Sequence, residues 1–418
     1  MISLAANAAV ATVALWLIVA RFGPDSYGLY SLLATLILAV SFADLGLGAV
    51  LINATTDFRS GAIDRSAFVA VHDSIRRVLW LIAAVIVMVA VGLCVSGQWP
   101  AILGGVVGGR SAQIAASLVV AVIGVSIPFG VGPRILQGDG RMSDVVKYSV
   151  FGPIVQLVIF LPLVFMLEGP QLLAVAPAVG AFAVAWWTDR RARAELDLQL
   201  LRAAPRAGGK RLGRGVLSSS LSYLVISVGL ALAFQSQRVV LSHNSSAAEL
   251  SQYAVVAQYL IPLYSIATVA GQAMWPEYRA ADKLLTGRSL RRHIAVFALL
   301  GVAGAVVLVC TVTVIGRWLL GGAISLPVAT LMAACVYLIV LFAHQPSAMV
   351  LTDFRGLAAQ AVLVAVAGAL TVAGTVWAAG PYGAAGAFAV AGLVVGVVQL
   401  VPTYLLACRH VARRQGAR

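Results

Sequence analysis

Val78 to Gln98 reads VLWLIAAVIVMVAVGLCVSGQ, twenty-one residues without a single charge, preceded directly by Arg76 and Arg77. A hydrocarbon core of about 30 Å is crossed by about 20 apolar residues in a helix. The run therefore reads as a membrane span, and the rest of the chain follows from it. Eleven further stretches of similar length and polarity lie at 2–20, 29–52, 112–133, 148–167, 171–188, 216–240, 253–274, 294–315, 327–350, 357–379 and 384–407. Two of them carry interruptions: Pro177 in 171–188, and Pro128 and Pro133 at the end of 112–133.

Composition agrees with twelve spans. Hydrophobic residues make up 61% of the 418-residue chain and charged residues 11%, and the mean hydropathy is +0.97. Soluble domains carry roughly 25% charged residues, so this chain has too few to cover a water-facing surface. A soluble enzyme, a disordered scaffold and a secreted disulfide module are excluded together. The first span has no basic segment before it and no cleavage signature, so it reads as a span and not as a signal peptide. Cys94, Cys310, Cys335 and Cys408 sit inside or at the end of apolar stretches with no metal-ligand spacing, and read as small buried hydrophobes.

The formal net charge of +14 could indicate nucleic acid, but its distribution argues otherwise. Of the 29 Lys and Arg residues, 25 fall in the loops after even-numbered spans and in the C-terminal tail. Arg21, Arg110, Arg238 and Arg317 are the remainder. This positive-inside bias places both termini in the cytoplasm and requires an even number of spans. The basic residues set topology and touch anionic lipid head groups; no nucleic-acid partner is implied.

The longest loop, Arg190–Arg214 (RRARAELDLQLLRAAPRAGGKRLGR), holds eight basic residues and divides the spans six and six. The expected organisation is a six-helix lobe at 1–189, a basic cytoplasmic linker at 190–214, a second six-helix lobe at 215–408 and a basic cytoplasmic tail at 409–418. Residues 58–77, with Ile63, Phe68, Val71 and Ile75 near helical spacing, read either as an interfacial amphipathic helix or as a loop running into span 3.

The halves show a weak internal repeat. Span 2 begins Arg21-Phe-Gly-Pro-Asp-Ser-Tyr-Gly-Leu-Tyr30, and span 8 follows Ser245-Ser-Ala-Ala-Glu-Leu-Ser-Gln-Tyr253. Span 4 ends Arg134-Ile-Leu-Gln-Gly-Asp-Gly-Arg141, and span 10 ends Met349-Val-Leu-Thr-Asp-Phe-Arg355-Gly. With an even number of spans per half, equivalent helices share a direction, so the repeats are parallel.

Three of these segments carry a resemblance: RFGPDSYGLY with FADLGLGAVL (residues 21–30 and 42–51), ILQGDGR (135–141), and SQYAVVAQYLIPLYSIATVAGQAMWPEYRA (251–280). Together they resemble the polysaccharide (O-antigen type) flippases of the multidrug/oligosaccharidyl-lipid/polysaccharide exporter superfamily. The resemblance implies an all-α polytopic membrane protein with twelve transmembrane helices in two six-helix lobes around a central cavity. It also implies movement of a polyprenyl-pyrophosphate-linked oligosaccharide across the prokaryotic cytoplasmic membrane, for surface polysaccharide made with other assembly proteins. Family members often carry an acidic residue before the arginine near the end of span 7. Here that position is Gln237, so the resemblance brings no ion pair to Arg238.

Polar groups inside spans are expensive and are functional candidates. Asp44 in span 2 reads as a cation- or proton-coupling group or as a hydrogen-bonded buried carboxyl beside Gly46 and Gly48. Arg134, with Gln137 one turn on, reads as a phosphate ligand at the cytoplasmic mouth or as a snorkelling topogenic arginine. Arg238, about one turn below the outer surface, reads as a pyrophosphate ligand or an interfacial anchor. Ser219, Tyr223 and Ser227 share one face of span 7, which also carries Gln235, and line a cavity on this reading. No catalytic constellation is present, and no cofactor or metal is called for.

Two other functions remain. A cation-coupled exporter of drugs or small metabolites calls for a denser carboxylate cluster than Asp44 alone. A membrane-embedded glycosyltransferase or polymerase calls for a sizeable loop with paired carboxylates, and the outer loops are short and nearly free of acids. The topology is directly testable. Reporter fusions after Gly169 and after Ala207 are expected outside and inside respectively; the same side for both breaks the assignment at spans 5 and 6.

Overall fold

A computed structural model describes the chain except for residues 1, 42–46, 60, 62, 196–224, 226–228, 230–231, 281–285, 352–353 and 417–418. All regular structure among the described residues is helical. Eight of those helices are long and apolar enough to cross a membrane. The fold is an all-α, multi-pass membrane architecture. The helices fall into two compact units, Met1–Ala14 with Leu29–Leu224, and Leu15–Gly28 with Val225–Arg418.

α1 (Ile2–Phe22) and α2 (Asp25–Ser41) flank the turn at Gly23, whose φ of 88° suits a residue without a Cβ; this turn, the end of α1 and the start of α2 fall in the second unit, and the remainder of both helices in the first. α3 (Leu47–Arg59) precedes α4 (Arg65–Ser96), which starts where the Asp64 carboxylate accepts the Ala67 N–H. Residues 58–77 are thus the end of α3, a short turn and the first turns of α4. Phe68 and Ile75 are buried in a core with Leu51, Leu79 and Ile135, and Ile63 and Val71 pack against it. That apolar face meets protein, so the stretch is a run-in to span 3.

α5 (Arg110–Gly138), α6 (Met142–Met166) and α7 (Gln171–Glu195) complete the unit. The prolines explain the interruptions seen in the sequence. Pro128 sits in a 3₁₀ turn, Ile127–Gly130, inside α5. Pro177 lies in the first turn of the regular part of α7, where a missing N–H costs nothing. The ILQGDGR segment is a helix stop: Arg141 N–H bonds Leu136 O at 2.9 Å across Gly140, whose φ is 76°. Gly138 lets the turn sit on α3, since a Cβ there would lie 2.6 Å from Ile52 O. Glu195 and Asp144 both pair with Arg141 and, Glu195 foremost, hold its guanidinium above its ordinary range.

Packing between α5 and α7 is closest at Gly132. A Cβ there would come within 2.2 Å of Asp189 Cα, the kind of small-residue approach that replaces the hydrophobic effect as glue in lipid. Asp189 is fully buried and pairs with Arg193, one turn on, and with Arg76 of α4 at 3.8 Å.

In the second unit, residues 232–244 form α8, followed by α9 (Ala247–Ala280), α10 (Gly287–Leu319) and α11 (Val328–Val350). The helix from Phe354 to Val394 breaks at Gly383 (φ 50, ψ −135), giving α12 (354–382) and α13, which continues from 384 through Gly416. Glycines again set the contacts: a Cβ on Gly301 would lie 2.9 Å from Ile339 Cα, and one on Gly392 3.3 Å from Tyr337 Cα.

Gly132 supplies the test of this packing. Gly132→Leu forces α5 and α7 apart and is expected to destabilise the protein by about 1–3 kcal/mol, read as a lower melting temperature in detergent. Gly130→Ala, where an added Cβ meets nothing within 4 Å, is expected to melt like the parent. Equal melting of Gly132→Leu and the parent would contradict the contact.

Candidate functional site

α8 carries Gln235-Ser-Gln-Arg238 into the second unit. Since α8 runs to residue 244, Arg238 lies six residues, about 9 Å, before its C-terminal end. The side chain is 7% exposed. Its Nη1 donates to Gln235 Oε1 at 3.0 Å, and its Cζ lies 5.7 Å from the Tyr253 ring centroid, a cation–π distance. Nε finds no acceptor among the described residues.

Gln237 explains the missing acid. It is fully buried, accepts the Tyr253 hydroxyl proton, and its Nε2 approaches Ala387 O at 3.4 Å. The residue beside the arginine therefore ties α8 to α9 and α13 without neutralising the guanidinium. Tyr253 stacks on Phe388 with centroids 4.5 Å apart and planes at 17°. Phe234 stacks on Tyr264 at 5.4 Å, and Gln345 Nε2 donates to Tyr264 Oη at 2.9 Å. Arg238 thus sits against an aromatic wall drawn from α8, α9, α11 and α13.

The structure brings Arg238 and Gln235 together. Ser219, Tyr223, Ser227 and Asp44 lie outside the described residues. In the first unit, Arg134 is exposed and lines a cavity of about 250 Å³ with Ser126, Leu51, Ile75 and Leu79; Gln137 is exposed one turn further on. Arg134 has a polar partner of its own.

Sequence reasoning missed Tyr253 and Gln237 as a pair. It also missed the contact between the two motif segments it had likened: Gly28 N–H donates to Ser251 Oγ at 2.9 Å, and a Cβ at Gly28 would lie 2.7 Å from that oxygen. A Gly four residues after a Pro at a helix start was the available signal.

Charge bookkeeping separates the two units. Among the described residues, Asp189 and Arg238 are the buried members of the Asp, Glu, Lys and Arg set. Asp189 has two arginine partners. Arg238 forms no ion pair among the described residues. A charge at the centre of a transmembrane helix costs about 2.5–3.5 kcal/mol on insertion scales, so an uncompensated guanidinium is suited to an anion.

No protein-family model matches the chain, and no curated protein is similar to it in sequence. Solved structures share its fold. A multidrug resistance MATE family transporter of the MOP superfamily, inward-facing, is 16% identical over 99% of this chain and 98% of its own, with a TM-score of 0.57. A MATE protein in a bent conformation is 16% identical over 100% and 94%, TM-score 0.59. The lipid II flippase MurJ, inward closed, is 11% identical over 95% and 90%, TM-score 0.53.

Proposed function

We propose that the protein flips a polyprenyl-pyrophosphate-linked oligosaccharide from the inner to the outer leaflet of a prokaryotic cytoplasmic membrane by alternating access. On this reading the lobes at 1–189 and 215–408, joined by the basic linker 190–214, together alternate access to the two leaflets, with both termini and the tail 409–418 in the cytoplasm. The observation that carries this reading is the buried, acid-free Arg238.

The chemistry follows from what the substrate needs. A pyrophosphate is anionic and accepts planar, paired hydrogen bonds, which a guanidinium fork supplies. Gln235 and the Tyr253 ring hold that guanidinium in place without discharging it. In this reading Arg134 and Gln137 meet the anion at the cytoplasmic mouth. Ser219, Tyr223 and Ser227 line the path beside the glycan, and Asp44 is the coupling carboxylate. Other polysaccharide assembly proteins supply the substrate and consume the product.

A multidrug resistance transporter is among the proteins of similar fold, and the second reading is a cation-coupled exporter of drugs or small metabolites. Its cationic cargo wants buried carboxylates. The buried acid among the described residues is Asp189, already between Arg76 and Arg193. The charge balance therefore favours the flippase.

Arg238→Ala is expected to lower transport at least tenfold at normal protein abundance, measured as surface polysaccharide against lipid-linked repeat units retained on the inner leaflet. Arg238→Lys is expected to keep part of the activity, because it retains the charge and loses the fork. Arg110→Ala, an exposed arginine bonded to Cys94 O, is expected near the parent. Parental transport by Arg238→Ala removes the residue from the substrate path; unchanged surface glycan with raised sensitivity to a cationic dye on deletion of the protein favours the exporter.

A further inference from the structure

The second unit holds a cleft of about 670 Å³ away from Arg238's aromatic wall. It is built where α8 ends, α9 begins, α11 begins and the α12–α13 break falls. Its lining includes His243, Asn244, Glu249, Thr330, Tyr382 and Gly383. These turns follow spans 7, 9 and 11, which the charge bias puts on the outer face.

The lining narrows the ligand by elimination. It contains no Lys or Arg, so it is not built for a phosphate or another anion. Its carboxylate, Glu249, is engaged: one oxygen accepts the Ala384 N–H at 2.7 Å. The same side chain sits where a Cβ on Gly383 would be, 2.1 Å from that oxygen. Glu249 thereby fixes the helix break that shapes the cleft, and the bond holds its carboxylate in place with its charge intact. Around that carboxylate the lining offers uncharged hydroxyl and carboxamide groups, from Ser245, Ser246, Thr330 and Asn244, with an exposed aromatic at the rim. Asn244 is exposed and spends one carboxamide N–H on Val240 O at 2.9 Å. Tyr382 is 60% exposed and 6.2 Å from Trp377, itself 72% exposed.

Many uncharged hydrogen-bonding groups beside a ring face match one chemical class well. Sugar hydroxyls are at once donors and acceptors, and the apolar C–H face of a pyranose lies flat on an aromatic ring. The volume falls within the range of about 300–1,000 Å³ usual for small-molecule sites.

We infer that this outer cleft binds saccharide, with Tyr382 as the stacking surface and Asn244 as a hydroxyl ligand. Within the flippase reading, on which its role in transport rests, the cleft takes the glycan as it emerges while the lipid-borne pyrophosphate is still held in the interior.

The test is direct binding. Purified protein in nanodiscs is applied to a printed array of bacterial mono- and oligosaccharides, and the sugars retained are measured again by saturation-transfer NMR. The inference predicts that the parent binds at least one uncharged saccharide and that Tyr382→Ala and Asn244→Ala each weaken it at least tenfold. Both side chains are exposed, so the variants are expected to fold, checked by parental melting. Absence of binding across the array, or parental binding by both variants, overturns the inference. Flipping of lipid-linked oligosaccharide by the reconstituted parent is measured beside it. Flipping without saccharide binding sinks the cleft alone. Saccharide binding without flipping sinks the flippase reading and leaves the cleft standing as a sugar site.

Discussion

One guanidinium without an acid beside it organises the second unit. In lipid, the cost of holding a charge is met by pairing, by hydrogen bonds or by a ligand. Asp189 in the first unit is met by Arg76 and Arg193. Arg238 is met by an amide oxygen and a ring face, both of which orient the cation and neither of which cancels it. Gln237 beside it carries no charge and turns to Tyr253 and Ala387, which leaves the guanidinium's charge available.

Each unit is assembled by close backbone approach. Gly132 against Asp189, Gly301 against Ile339 and Gly392 against Tyr337 each occupy a place where a methyl would collide or press. Such contacts give stiff, directional packing where solvent offers no hydrophobic drive. Breaks are placed as deliberately, at Pro128 within α5 and at Gly383 between α12 and α13. The second of these creates the outer cleft, and Glu249 caps it.

The spans were legible because length and apolarity alone determine them, and every one of the twelve stretches has helix at its described residues. Pro177 and Pro128 read as weaknesses in sequence, yet one sits in the first α-helical turn after a 3₁₀ turn and the other in a 3₁₀ turn within a helix, since a proline's effect depends on which N–H it removes. Arg238 was legible as an anomaly, a charge in an apolar run. The contacts around it were not: Tyr253 reaches it and Ala387 reaches Gln237 from other helices, and no periodicity links them to α8. The outer cleft was invisible for the same reason. It is made of four helix ends, and each alone reads as a loop. Asp189 was hidden by its position at the edge of a basic linker, where an acid looks solvated.

The central assignment is that Arg238 meets a pyrophosphate. A soluble short-chain prenyl pyrophosphate, titrated calorimetrically into the purified protein and into Arg238→Ala, isolates that contact from the glycan and from turnover. The assignment predicts saturable binding by the parent, weakened at least tenfold in Arg238→Ala and not displaced by a cationic dye. Equal binding by parent and variant, or tighter binding of the cationic dye than of the pyrophosphate, would contradict it.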